Sequence, residues 1–248
     1  MSRGYRSKVI TMNNMNQNRN LELLSPKKLL TESNLILLDK IREYSLLENK
    51  RIGWNYPLDY LYIHLNFDPS YLLNEKVLDI GCGPGAIHGW LESIYNIDII
   101  GLDLNRWEKD YVDVVGDFNS TKLHKQQGWE KNSFDIIFSG SSLEHQTPWM
   151  HYRSVKLALN LLRPGGLLIS TVAASENRTV KYQKPYQYNL SKKALEKVYG
   201  TKFKKFDYRN ISEEYMGSEL ICNAYEARFE RKIPKVMSYI SVGASIIK

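Results

Sequence analysis

Lys76-Val77-Leu78-Asp79-Ile80-Gly81-Cys82-Gly83-Pro84-Gly85-Ala86 is the stretch on which the fold turns. A short apolar run ends in three alternating glycines, and from Ala86 the apolar residues Ile87, Trp90, Leu91 and Ile94 fall on one helical face. A buried strand that feeds a glycine-rich turn and then a helix brings bare backbone against a ligand. Glycine permits the positive φ angles and close approach that a side chain would block. The spacing Gly81-x-Gly83-x-x-Ala86 also satisfies the dinucleotide pattern, so the loop alone announces a cofactor without choosing one.

Downstream, strands and helices keep alternating. Residues 98–104, 112–117, 134–138 and 167–172 predict four further strands, with a helix across 150–162 closed by Arg163-Pro164-Gly165-Gly166. Continuous apolar runs between helices predict a parallel sheet covered on both faces. Ser191 is placed to cap a helix to Tyr199, and two last strands are expected over 202–208 and 219–229. The expectation is an α/β fold with a seven-stranded, mostly parallel sheet whose last strand is antiparallel. Asp103, at the tip of the second strand, suits the ribose diol of any nucleoside cofactor.

Taken in order, these pieces resemble the class I, Rossmann-like methyltransferases that use S-adenosylmethionine (SAM). Val77 to Gly85 resembles their first motif, Gly116-Asp117-Phe118 their third strand tip, Ser133 to Ser139 their fourth-strand motif, and Leu162 to Gly166 the turn before the fifth strand. The resemblance spans residues 76 to about 173. It implies SAM as cofactor and S-adenosylhomocysteine (SAH) as product. It implies Asp79 and the Gly81 backbone near the methionine amine, Asp103 at the ribose hydroxyls, Asp117 with the Phe118 amide at the adenine, and Cys82, Gly83, Gly85, Leu104 and Ser139 as further cofactor-binding residues. SAM has hydroxyls and amines but no pyrophosphate, and acids on successive strand ends are the strong acceptors it needs. Cys82 reads as a small loop residue rather than a nucleophile.

Ser139-Gly140-Ser141-Ser142 stands where amino-group methyltransferases of adenine or glutamine carry N/D-P-P-Y/F/W, and neither cysteine follows a proline as in the cytosine-C5 enzymes. Serine also replaces the aspartate of the catechol-type metal enzymes, so no metal is expected. What remains is similar to the small-molecule group, including quinone, sugar and natural-product methyltransferases, and in size and layout to methyltransferases of bacterial surface-polysaccharide pathways. Ser142-Leu143-Glu144-His145 matches a pattern common in that group, which makes His145 the candidate general base; a histidine that only fastens the loop is the alternative.

Acceptor selectivity is expected from the aromatic stretch around Trp54 and Tyr56 and from the segment after the fifth strand, with Lys181, Tyr182, Lys184 and Tyr186 as acceptor-binding residues. Residues 178–209 hold ten Lys and Arg against two acids, so this one segment outweighs the chain's net charge of +7. That charge suits a solvated surface, or an anionic (phosphorylated or nucleotide-linked) small acceptor. An RNA or DNA substrate is the weaker reading for want of a separate nucleic-acid module. An NAD-dependent oxidoreductase and a non-catalytic SAM-binding protein are the remaining alternatives.

Two distant cysteines exclude a disulfide scaffold and fit a reducing cytoplasm. No apolar run approaches membrane-spanning length, and the basic residues before position 20 lead into no signal-like segment. The expected organisation is a polar arm over 1–20, an aromatic helical cap over 21–70, the cofactor domain over 71–233 and a tail over 234–248.

Overall fold

A computed structural model describes residues 19–46, 56–106, 111–183, 186–229, 232, 237 and 239–248. In chain order the elements are β1 (Arg19–Leu23), α1 (Pro26–Leu29), α2 (Glu32–Leu46), α3 (Tyr56–Asn66), β2 (Val77–Ile80), α4 (Ala86–Tyr95), β3 (Ile99–Asp103), β4 (Val114–Val115), α5 (Thr121–Gln127) and β5 (Phe134–Gly140). There follow α6 (Pro148–Leu161), β6 (Leu162–Ser175), β7 (Val180–Gln183), β8 (Tyr186–Ser191), α7 (Lys192–Tyr199), α8 (Tyr208–Met216), α9 (Glu219–Phe229) and β9 (Ile240–Ile247).

The sheet runs β1-β9-β6-β5-β2-β3-β4. Strands β2 to β6 are parallel, β9 is antiparallel to β6, and β1 is antiparallel to β9. Strands β7 and β8 form a hairpin beside the end of β6. This is the expected Rossmann-like, mostly parallel sheet. The chain leaves β2 for β3 and β4 on one side, then crosses to β5 and β6 on the other. That reversal opens a crevice beyond the carboxyl ends of β2 and β5, where open α/β sheets bind ligands.

Local chemistry accounts for the helix ends. Ser25, Ser120, Thr147 and Ser191 accept from amides of the first turns they cap, and Gly128 and Gly200 end α5 and α7 in the left-handed conformation. Below the crevice, Asp135 accepts from the Asn74 and Lys76 amides at 2.8 and 3.2 Å and pairs with Arg163, closing the amino-terminal side of the sheet.

The carboxyl-terminal third differs from expectation. Residues 202–207 make no strand, and residues 219–229 form α9. Phe203 and Phe206 stack edge-on at 4.8 Å rather than alternating across a sheet, and Ile221 and Tyr225 are buried at helical spacing. The antiparallel strand is instead β9, drawn from the segment expected to be a tail. The outer edge is β1, which includes two positions of the expected polar arm; positions 1–18 of that arm lie outside the described residues. Buried on both faces, β9 is built from small and β-branched residues. At Gly243 a Cβ would come within 2.4 Å of the Tyr62 ring, so α3 can lie flat on the sheet only over a glycine.

Among the described residues no helix is long and apolar enough to cross a membrane.

Candidate functional site

The glycine loop leaves β2 with φ of +72° at Gly81, +52° at Gly83 and +79° at Gly85. The Gly81 and Cys82 amides both donate to the Leu102 carbonyl at 2.7 and 3.1 Å, folding the turn back onto β3. The Gly83 amide donates to Asp103 Oδ2 at 3.0 Å, and the Gly85 amide to the Cys82 carbonyl at 2.9 Å. Residue 84 is proline, so every amide from 81 to 85 is either absent or engaged. Gly81 is pressed by the loop after β5: a Cβ there would lie 1.8 Å from Ser142 Oγ. At Gly83, by contrast, a Cβ would meet nothing within 4 Å. Cys82 Sγ donates to the Tyr111 carbonyl at 3.2 Å, and burial pushes its thiol far up, which suits a packing residue.

Three strand-end acids follow in order. Asp79 is buried, and burial raises its carboxyl. Asp103 Oδ2 takes the Gly83 amide and its Oδ1 the Asn105 amide, each at 3.0 Å, leaving a further lone pair on each oxygen. Leu104 beside it is 68% exposed, an apolar side chain held out at a strand tip. Asp117, one strand over, is exposed, with Oδ1 accepting the Asn119 amide at 2.8 Å. Phe118 is buried, its ring against His124 and its carbonyl 2.7 Å from His124 Nε2. Ser139 is buried and its hydroxyl donates to the Ile80 carbonyl at 2.9 Å; its side chain ties β5 to β2.

On the other side of the crevice, Leu143–His145 forms a single 3-10 turn after β5. His145 is exposed, and its Nδ1 lies 2.6 Å from the Tyr186 carbonyl. A carbonyl can only accept, so Nδ1 carries the hydrogen and Nε2 keeps the lone pair of the neutral ring. The β7–β8 hairpin thus fixes the tautomer. On the hairpin, Lys181 Nζ sits 4.9 Å from the Tyr186 ring centre and 5.7 Å from that of Tyr188. Tyr182 belongs to the opposite face of the hairpin and meets Tyr239 instead, which separates it from Lys181 and Tyr186. Trp54 and Lys184 lie outside the described residues. Of the remaining basic segment, Lys192, Lys205 and Arg209 pair with Glu196, Asp207 and Glu176 at 4.0, 3.3 and 3.3 Å, so part of that charge is a solvated, self-paired surface.

Sequence reasoning missed two buried groups on this side. Asp59 of α3 is fully buried and accepts from Ser141 Oγ at 2.6 Å. Burial pushes its carboxyl up to about 7 against the lowering of that hydrogen bond, and Glu144 nearby adds to the rise. Glu144 is itself pushed up to about 7, chiefly by burial. An acid inside the run Leu58-Asp59-Tyr60-Leu61 was the available signal. Because both folded pKa values lie above the unfolded ones near 4, stability from this pair is full below about pH 4 and is lost as pH rises through 7. Asp59→Asn is therefore expected to melt progressively closer to, or above, wild type as the pH goes from 5 to 8. A Tm difference that stays constant over that range would contradict it.

Among the described residues no group of three His, Cys, Asp or Glu side chains could hold a metal ion.

Residues 78–170 match the methyltransferase domain family. The chain is 24% identical to the chloroplastic tocopherol O-methyltransferase of Arabidopsis thaliana over 160 residues, which is 60% of this chain and 45% of that protein. It is 28% identical to phosphoethanolamine N-methyltransferase 3 of the same plant over 106 residues, 39% of this chain and 21% of that one. The chain thus spans less than half the length of the curated relatives it matches. Among solved structures, the [4+2]-cyclase SpnF matches with a TM-score of 0.54 and 17% identity, covering 80% of this chain and 84% of the other, a likeness of fold.

Proposed function

We propose that this chain, whose residues 78–170 carry the methyltransferase domain, transfers the methyl group of SAM to a small-molecule acceptor. The observation that carries the cofactor half is the state of the glycine loop. A pyrophosphate needs free amides to cradle it. Here the loop amides are spent on Leu102, Asp103 and Cys82, and what the crevice offers instead is a succession of carboxylates. The open space at Gly83 and the exposed Leu104 suit a nucleoside laid across the strand tips.

SAM, when bound, supplies an electrophilic methyl on a sulfonium. In this reading Asp79 receives the ammonium, Asp103 the ribose hydroxyls, and Asp117 with the Phe118 amide the adenine edge. Leu104 covers one face of the base. His145 Nε2, its lone pair held outward by the Tyr186 carbonyl, takes the proton of an acceptor hydroxyl or amine as the new bond forms. Lys181 stands on the same hairpin and would attract an anionic group on the acceptor, such as a phosphate or a nucleotide diphosphate. A nucleotide-linked precursor of a surface glycan is one molecule of that kind.

Titration calorimetry is the test. SAH should bind, NAD should neither bind nor compete, and Asp103→Asn should weaken SAH by roughly 1.5–3 kcal/mol, the range for hydrogen bonds to a charged group. Tight NAD binding, or SAH affinity untouched in the variant, would refute the assignment.

A further inference from the structure

Beneath the glycine loop, His88 of α4 is 1% exposed and lies between two carboxylates. Its Nδ1 is 3.4 Å from Asp79 Oδ2 and its Nε2 is 3.4 Å from Glu92 Oε1. The same Glu92 oxygen accepts the Ile99 amide at 2.9 Å. A line of polar groups therefore runs from the start of β3 through α4 to the end of β2, next to Gly81. At 3.4 Å the contact with Asp79 is an ion pair without a hydrogen bond, and Asp79 Oδ2 and His88 Nδ1 are both buried with no hydrogen-bond partner.

Among the described residues, the other groups facing this point are Tyr60 from α3, Cys82 from the loop, Asp103 from β3 and the Tyr111 ring, whose centre is 5.2 Å from that of His88. None of these, and neither of the two carboxylates, can carry positive charge; His88 can. Burial by itself would lower the imidazolium, but the Asp79 and Glu92 carboxylates outweigh it and raise it to about 9. Without a cation beside it, a carboxyl as deeply buried as Asp79 would take up a proton and lose its attraction for an ammonium group.

We propose that His88 is a positioning residue for the ammonium end of the cofactor, acting through Asp79. Clasped between Asp79 and Glu92 as an imidazolium, it keeps the buried Asp79 ionised and oriented. The trio then carries one net negative charge, and the ligand's ammonium brings the assembly to neutrality. The inference rests on the SAM reading above.

Two probes separate this role from mere support of the fold: SAH, and 5′-methylthioadenosine, which keeps the nucleoside thioether but lacks the amino-acid end. With His88→Gln, SAH affinity at pH 6 should fall about tenfold, the scale of one charged hydrogen bond. It should partly recover at pH 8 as Asp79 ionises unaided, while methylthioadenosine affinity stays at the wild-type value throughout. Glu92→Gln, which loosens the clasp from its half-exposed side, should show the same pattern more weakly and guards against a His88 variant that fails to fold. Equal losses for both probes, no loss for either, or a loss independent of pH would overturn the proposal. Wild-type protein that binds neither probe would instead remove the cofactor reading, and this inference with it.

Discussion

Gly81→Ala is expected to lower SAH affinity by roughly two orders of magnitude. Two faults arise from one methyl group. The backbone at this position has φ +72°, which costs an L-residue about 1–2 kcal/mol. The added Cβ would also stand 1.8 Å from Ser142 Oγ and 2.5 Å from Ser142 Cβ, so the turn bearing His145 must retreat or the glycine loop must lift. Forced overpacking of this kind costs about 1–3 kcal/mol, and the sum is the predicted loss. The double variant Gly81→Ala, Ser142→Gly isolates the second fault. It should regain the steric part and keep the conformational part, giving a coupling well outside additivity in calorimetric titrations with SAH. Wild-type affinity in the single variant would mean that the loop does not seat the cofactor.

The second large effect concerns turnover. His145→Asn should slow methyl transfer by about 10²–10⁴-fold, the range for a positioned general base, while SAH affinity is unchanged. Asparagine can still donate to the Tyr186 carbonyl, so the hairpin remains docked and what is lost is the lone pair at Nε2. The measurement is SAH release on an acceptor that the wild-type protein turns over. Because proximity to the sulfonium alone can supply much of the acceleration, a variant with full turnover would make His145 a fastener of the hairpin. Its bond to Tyr186 would then be its entire role.

The half of the chain around the glycine loop was legible because each step there is local. Apolar runs of strand length, a turn of alternating glycines and a helix cap at Ser191 all act within a few residues of where they are read. The same locality made Asp79 and Asp103 readable as strand-end acids. The carboxyl-terminal third was not legible, because its assignments are settled by tertiary pairing. Residues 219–229 carry apolar side chains that serve a helix as readily as a strand, and the glycine, serine and alanine of 241–245 look like a tail until Tyr62 and β6 are placed against them. Asp59 and His88 escaped notice for a related reason. Asp59 is given meaning by a serine 82 positions away, and His88 by an aspartate on a different element. For Ser139 the motif gave the position in β5 but not the hydroxyl's partner, the Ile80 carbonyl of a different strand.

The place of β1 at the outer edge of the sheet has a consequence for how the protein is made. Among the described residues β1 pairs with β9 alone, matching Arg19 to Ile246 and Leu23 to Val242, and β9 in turn lies against β6. During synthesis at ~5–20 residues per second, β1 must therefore wait through the translation of more than two hundred residues for its hydrogen-bonding partner. From the time β6 (Leu162–Ser175) is made until β9 follows, the β6 edge that β9 will cover is also open, which invites pairing with another chain. Contacts of such sequence separation form late and slowly. The cofactor crevice, built from β2 to β6, can take shape before the sheet is sealed, and β9 closes it.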